Sequence, residues 1–455
     1  MKIASINPAN GETLNLYDEM TPQAAAAAVE RAHAAWLSWR RTSFAERSRW
    51  IRQTAAIIRE RKNQLARLMA LEMGKPVRQG IAEVEKCAWV CDYYAENAET
   101  HLRPDRVATE ASISYVAFEP PGVIFAVMPW NFPFWQVFRF AVPALMAGNT
   151  AVLKHSSNVP SCALEIERIF KQAGLPPNTF QTLLIGSKQV SAVIEHPRVR
   201  AVTLTGSTPA GRSVAAQAGA ALKKTVLELG GSDPYLVLED ADLDLAVRTC
   251  VSSRLINSGQ SCINAKRFVV VEPVLAKFTE ACVAQMKSKI VGDPLSEETE
   301  VGPMARRDLR DELHQQVLES VRRGARLLLG GEIPPGPGAY YPPTVLGEVL
   351  PGMPAYEDEL FGPVAAIIRA KDEQDALRIA NDSVFGLGAA VFTRDLQRGE
   401  RIARELEAGS TFVNDLVASD PRLPFGGIKQ SGYGRELGSY GIREFVNIKT
   451  VQIKA

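Results

Sequence analysis

The sequence predicts an α/β protein: a parallel sheet covered by helices, followed by a second α/β lobe. Three observations lead there. From Gly122 onward, short apolar runs alternate with helical patterns, as in "GVIFAVMP", "NTAVLKHS", "QTLLIG" and "AVTLTGS". The alternation restarts after Gly230-Gly231 with "PYLVLE", which puts a boundary near residue 229. The 455 residues are 46% hydrophobic and 23% charged, an ordinary globular composition and enough chain for about two to three domains.

The elements follow in order. Residues 21–39 and 44–73 have long helical patterns, and the second stops at Gly74-Lys75-Pro76. Cys87 and Cys91 stand four apart in "EVEKCAWVCDYYAENA", so a helix puts both on one face, where core packing is the expected role. "SISYVAFE" (112–119) reads as a strand. A helix begins near Phe134, and others are expected near 160–173, 187–195 and 209–221. Before the last of these, strand 201–205 runs into "GSTPAGR". Ser207 or Thr208 can cap the helix with Pro209 at its first position, and Gly206 lets a group approach the free amides. Such a turn suits an anion or a dinucleotide. "LGGEIPPGPGAYYPP" (329–343) reads as a surface loop inside the second lobe, and the tail "REFVNIKTVQIKA" as a strand that pairs with a partner subunit or a distant segment.

Several function classes are excluded. With 52 basic and 51 acidic residues the net charge is +1, and no clustered basic face is visible, so no nucleic-acid partner is expected. The longest apolar region, 122–148, is cut by Pro129, Pro133 and Pro143 and includes Arg139, so no membrane span is expected. "MKIASINPANGE" reaches Asn-Pro before a signal-peptide core accumulates, and the expected location is cytoplasmic. Six cysteines without a CxxC pair and five scattered histidines point to neither a disulfide scaffold nor a metal site.

One of those cysteines ends "NSGQSC" (257–262), between a helical pattern and the strand-like "KRFVVVE". A free cysteine is usually a small buried hydrophobe. Its context here argues otherwise. Five stretches, "PWNFPFW" (129–135), "AVLKHS" (151–156), "LTGSTPAGR" (204–212), "LELGGSDPYLV" (227–237) and "NSGQSCINAKR" (257–267), together resemble the aldehyde dehydrogenase superfamily. "EDELFGPV" (357–364) and "PFGGIKQSGYGRELG" (424–438) agree, and the likeness runs from "INPANGE" to the C-terminus. It implies the aldehyde dehydrogenase fold: an NAD(P)-binding, Rossmann-like domain over 1–111 and 122–228, a catalytic domain over 229–435, and an oligomerisation flap from 112–121 and 436–455. A homodimer or homotetramer is expected with it.

The residue types suit the chemistry. Hydride leaves an aldehyde carbon only after a nucleophile has added, and a thiol does so through a thiohemiacetal that becomes a thioester. The resemblance assigns Cys262 as that nucleophile, Glu228 as the base that activates water against the thioester, and Asn131 as an oxyanion donor beside the Cys262 amide. For NAD or NADP it implies Lys154 at the adenosine ribose, with His155, Ser156 and Ser157 beside it. Gly206 and Ser207 fall at the pyrophosphate, Trp130 and Leu229 nearby, and Glu359 with Phe361 at the nicotinamide ribose. Relatives that prefer NAD place a glutamate where this chain has Ser157, so both cofactors are expected to work.

Within the superfamily the chain resembles bacterial succinate-semialdehyde dehydrogenases. Arg139 stands where those enzymes reach the substrate carboxylate; Ser419 and Arg254 are further candidates, although Ile256 occupies the register of the usual second arginine. A structural ion pair is the other role open to Arg139. Other aldehyde specificities, such as glutarate semialdehyde or aliphatic aldehydes, remain alternatives. A CoA-acylating enzyme would lack the glutamate found here as Glu228, and a cysteine hydrolase would need a histidine that no motif supplies.

Overall fold

The computed structural model describes residues 2–454. The antiparallel strands β1 (Lys2–Ile6) and β2 (Thr13–Asp18) precede helices α1 (Pro22–Trp39), α2 (Phe44–Glu60), α3 (Lys62–Met73) and α4 (Val77–His101). Ser43 and Glu46 form a capping box at α2. The single pattern expected over 44–73 is two helices, because Arg61 leaves helical geometry at φ −98° and ψ 10°. Gly74, in the left-handed region, ends α3.

Next come β3 (Asp105–Arg106), β4 (Ile113–Glu119), β5 (Val123–Met128), α5 (Trp135–Met146), β6 (Thr150–His155), α6 (Pro160–Gln172) and β7 (Phe180–Thr182). They lead to α7 (Val190–Glu195), β8 (Val199–Thr205), α8 (Thr208–Ala220) and β9 (Lys224–Glu228). The second half supplies α9 (Leu243–Leu255) after β10 (Asp233–Val237), then β11 (Ala265–Val271), β12 (Arg326–Leu329), β13 (Thr344–Gly347) and β14 (Val364–Ala370). Last are β15 (Gly388–Phe392), β16 (Ser410–Val413), β17 (Gly432–Tyr433) and β18 (Asn447–Ile453).

Two large sheets result. One runs β17-β9-β8-β5-β6-β7, parallel except for β17, and the other β12-β13-β14-β11-β10-β15-β16, parallel except for β12. The chain passes from the first to the second between Glu228 and Asp233. Their central strands are buried along nearly their whole length, as sheets covered on both faces require. β17 returns late in the chain to lie against β9, Gly432 opposite Glu228. The tail strand β18 pairs with β4 in a separate three-stranded sheet, β18-β4-β3.

Strand order fixes where a ligand can enter. From β5 the chain steps to β6 and β7 on one side, then returns to place β8 on the other. The loops after β5 and β8 therefore part, and the crevice between such loops is the binding point of an open α/β sheet. α4 and α5 frame it. Glu83 of α4 accepts from the Phe134 and Trp135 amides at 2.9 Å each, capping α5, and pairs with the buried Lys75. Cys87 and Cys91 lie in the core on that same α4. Among the described residues no helix is long and apolar enough to cross a membrane, and no group of three or more His, Cys, Asp or Glu is placed to hold a metal.

Candidate active site

At this crevice lies a cavity of about 390 Å³. The loop after β5 contributes Trp130 and Asn131, and the turn after β8 contributes Gly206 and Ser207. From the second sheet's side come Cys262, Glu359 and Phe361, with Leu229 at the junction. Residues expected from five separate motifs thus meet at one place.

Cys262 is half-buried, while the other five cysteines are fully buried. Its loop is strained: Asn257 and Ser258 both take left-handed φ of 54°. Hydrogen bonds hold that conformation. Asn257 Nδ2 donates to the Asn131 carbonyl at 2.7 Å, and Ser258 Oγ accepts from the Gly302 amide at 2.9 Å. Lys266 Nζ donates to the carbonyls of Ser261 and Cys262, both at 2.8 Å. On the other side of the nucleophile the Asn131 amide is oriented as well. Gln136 donates to its Oδ1 at 3.0 Å, so its Nδ2 faces the loop and donates to Gln260 O at 3.1 Å.

Burial pushes the Cys262 thiol up to about 12, with Lys266 and then Arg139 drawing it down and Glu359 and Glu228 opposing them. The resting sulfur is therefore protonated and needs a base. Glu228 is buried at the end of β9, and neither carboxylate oxygen has a hydrogen-bond partner among the described residues. Burial raises its pKa well above the carboxylate range; Arg139 lowers it and Glu436 raises it further. Gly426 makes room for this carboxylate. A Cβ there would lie 2.6 Å from Glu228 Oε1, and its φ of 157° already disfavours a side chain.

The cavity also fits a dinucleotide. Ser207 holds the N-cap position of α8 but makes no capping bond, so the helix's first amides stay available for a pyrophosphate. Glu359 Oε1 accepts from the Gly231 amide at 3.1 Å and lies 3.4 Å from Lys266, which fixes its carboxylate at the cavity wall. Phe361 meets Trp130 edge-on, ring centres 5.8 Å apart. Half-buried Lys154, at the carboxyl end of β6, has no ion-pair partner among the described residues, and burial lowers its pKa. Ser157 opens onto a separate cavity of about 800 Å³, beside Asn158 and Lys188, while Ser156 Oγ donates to Asn158 at 2.6 Å.

Four residues expected to touch cofactor or substrate are engaged within the protein instead. His155 is buried, its Nδ1 accepting from the Ser156 amide at 2.8 Å and its Nε2 meeting the Pro133 carbonyl at 2.9 Å. Burial takes its pKa down to about 4, so a neutral imidazole braces the loop after β5 and has no nitrogen left for a cofactor. Arg139 is 3% exposed, ion-paired with Glu436, and donates to Thr205 Oγ1 at 3.2 Å. This is the structural ion pair, and Arg139 is not on the cavity wall. Arg254 is fully buried and donates to the Gly259 carbonyl, so it supports the nucleophile loop and does not face a substrate. Ser419 is also buried, and its Oγ accepts from Lys86 Nζ at 2.8 Å.

Lys86, Lys266 and Glu436 went unmarked in the sequence. Lys266 had one readable signal, a Lys-Arg pair at the start of an otherwise apolar strand. For Glu436 there was none, because its partner lies 297 residues earlier.

The sequence profile of the Aldehyde dehydrogenase family matches residues 1–451. The chain belongs to this family. It is an oxidoreductase with the α/β aldehyde dehydrogenase fold. It is 50% identical over 453 residues, 100% of both chains, to a Synechocystis protein called probable succinate-semialdehyde dehydrogenase [NADP(+)]. It is 49% identical to the Escherichia coli K12 protein called succinate semialdehyde dehydrogenase [NAD(P)+] Sad, over 98% of this chain and 97% of that one. The crystal structure of succinic semialdehyde dehydrogenase from Streptococcus pyogenes in complex with NADP+ superposes on all of both chains with a TM-score of 0.97 at 38% identity.

Proposed function

We propose that this aldehyde dehydrogenase oxidises succinate semialdehyde to succinate, using NADP or NAD. The observation that supports the chemistry best is Cys262, the one cysteine not fully buried, sharing a cavity wall with the oriented Asn131 amide. The substrate reading rests on what the relatives at about half identity are called. Residues 1–111 and 122–228 are read as the cofactor-binding part, 229–435 as the catalytic part, and 112–121 with 436–455 as the surface through which copies assemble.

Asn131 Nδ2 and the Cys262 amide bind the aldehyde oxygen, taking up charge as the sulfur adds to the carbon. The thiol proton passes to Glu228, whose raised pKa suits it to hold one. A nicotinamide held beside Glu359 and Phe361 would supply the acceptor for the hydride that leaves the thiohemiacetal. Glu228 then releases that proton to solvent and, ionised again, takes one from the water that hydrolyses the Cys262 thioester, and the acid leaves. Removing an oxyanion donor of the Asn131 kind costs about 3 kcal/mol in such reactions.

The direct test is Cys262→Ala, followed by appearance of reduced nicotinamide across succinic, glutaric, betaine and simple aliphatic aldehydes with each cofactor. Oxidation should vanish while cofactor binding persists. Turnover above background in the variant would exclude a covalent route, and equal efficiency of all the aldehydes with the wild type would exclude the substrate.

A further inference from the structure

Lys266 sits where the second sheet meets the nucleophile loop. β11 lies between β10 and β14, but its pairing with β10 slips near its start: Asp233 stands opposite Ala265, and Pro234 opposite Arg267. Lys266 is the extra residue at that bulge, a device that re-aims a side chain. The two basic neighbours divide accordingly. Arg267 donates to the carbonyls of Ser232, Ile379 and Ala380, each at 2.9 Å. Lys266, 1% exposed, turns instead to the carbonyls of Ser261 and Cys262 and to Glu359 Oε1.

The Ser261 carbonyl belongs to the same peptide unit as the Cys262 amide. That peptide is trans, so its C=O and N–H point in opposite directions. An ammonium held 2.8 Å from the oxygen therefore sets the direction of the N–H, and polarises the peptide so that it donates more strongly. Among the described residues the Cys262 amide has no acceptor of its own. The Cys262 carbonyl, also 2.8 Å from the ammonium, fixes the next peptide in the same way. Two glycines make this approach possible. A Cβ at Gly231 would lie 2.7 Å from the Cys262 carbonyl oxygen, and one at Gly230 would lie 2.5 Å from Glu359 Oε2. Burial lowers the pKa of Lys266; Glu359 then raises it, Arg254 lowers it, and Asp233 and Cys262 raise it.

We propose that Lys266 is a positioning residue of the oxyanion hole: through the Ser261–Cys262 peptide, its ammonium aims and polarises the amide that meets the aldehyde oxygen. This rests on the reading of Asn131 Nδ2 and the Cys262 amide as the oxyanion donors. The two donors are aimed by different means. A neutral amide, Gln136, orients Asn131, whereas a buried cation orients the Cys262 peptide. Lys266 does not line the cavity and works through the chain it holds.

The same charge draws the Cys262 thiol down, ahead of Arg139, with Glu359 and Glu228 opposing, so the test separates two effects. One rate is that of the first hydride transfer to saturating NADP, on rapid mixing with succinic semialdehyde. The other is modification of Cys262 by dithiodipyridine with NADP bound. This reagent needs the thiolate but has no carbonyl, so it makes no use of the oxyanion donors. Dividing the first rate by the second cancels the thiolate fraction. Lys266→Met should lower that quotient about tenfold or more, part of the loss that follows removal of a whole oxyanion donor. Lys266→Gln, which keeps a donor and loses the charge, should lower it less, and keeps the test available if the methionine variant does not fold. Asn131→Ala is measured in the same way. An unchanged quotient in the Lys266 variants, beside a large fall in Asn131→Ala, would overturn the role of Lys266. An unchanged quotient in Asn131→Ala would instead overturn the oxyanion reading beneath it.

Discussion

Burial raises the pKa of both Glu228 and Cys262, so the thiol gives up its proton reluctantly and the ionised carboxylate takes one readily. Replacing the carboxylate by an isosteric amide separates the two half-reactions. Glu228→Gln should still give a burst of reduced cofactor, since the sulfur can reach thiolate through solvent, and should then stall as the thioester waits for water. Rapid mixing with detection of the acyl-enzyme by mass checks this; a variant with neither burst nor adduct would remove Glu228 from deacylation. The residues nearest the chemistry were legible in the sequence because each sits in a short local motif. Asn131 lies between Trp130 and Phe132-Pro133, Glu228 before two glycines, and Cys262 after "NSGQS". Charge partners were not. Whether Arg139 meets substrate or a carboxylate depends on Glu436, which arrives through β17 and the turn after it, and no pattern near residue 139 encodes that pairing.

Elements repeat the lesson. Strands β5, β6 and β8 were readable because a sheet buried on both faces demands unbroken apolar runs, and those runs are bounded by Pro129, Ser156 and Gly206. The break between α2 and α3 was not readable, since Arg61 is neither glycine nor proline and the apolar period continues across it. Strand order was equally hidden, and with it the reason that the loops after β5 and β8 form a crevice. The end of β6 carries a prediction of its own. Among the described residues Lys154 has no counter-ion, and three residues on Ser157 opens onto the larger cavity with Lys188. A 2′-phosphate brings about −1.5 to −2 charges, which this neutral hydroxyl tolerates and a carboxylate would repel. Ser157→Glu should therefore lower kcat/KM with NADP about tenfold or more relative to NAD. Unchanged cofactor preference would mean that the phosphate is not held at Ser157.

At the scale of the whole molecule, the sheet β18-β4-β3 stands apart from the two large ones and ends in an unpaired strand. β18 runs antiparallel to β4 over seven residues, Asn447 opposite Glu119 to Ile453 opposite Ile113. Its outer edge therefore offers a row of free amides and carbonyls, the template for adding a strand from another copy. Its side chains are as unusual as its edge. Ile448 is 66% exposed and Ile453 47%, with Ile113 of β4 at 43%, three large aliphatic groups on one small sheet. Monomers blunt such edges with charges or bulges; β18 has one charge, Lys449, and keeps these aliphatics exposed beside it. The inference is that a second subunit covers them, in a dimer or a tetramer. Changing Ile448 and Ile453 together to Lys adds charge where the protomer itself packs little, so the fold should melt near the wild-type temperature. Light scattering should give the wild type a multiple of 49.6 kDa and the variant a mass near 49.6 kDa. A wild type already at the monomer mass, or a variant that keeps the full assembly, would mean that β18 closes the protomer's own surface and joins nothing.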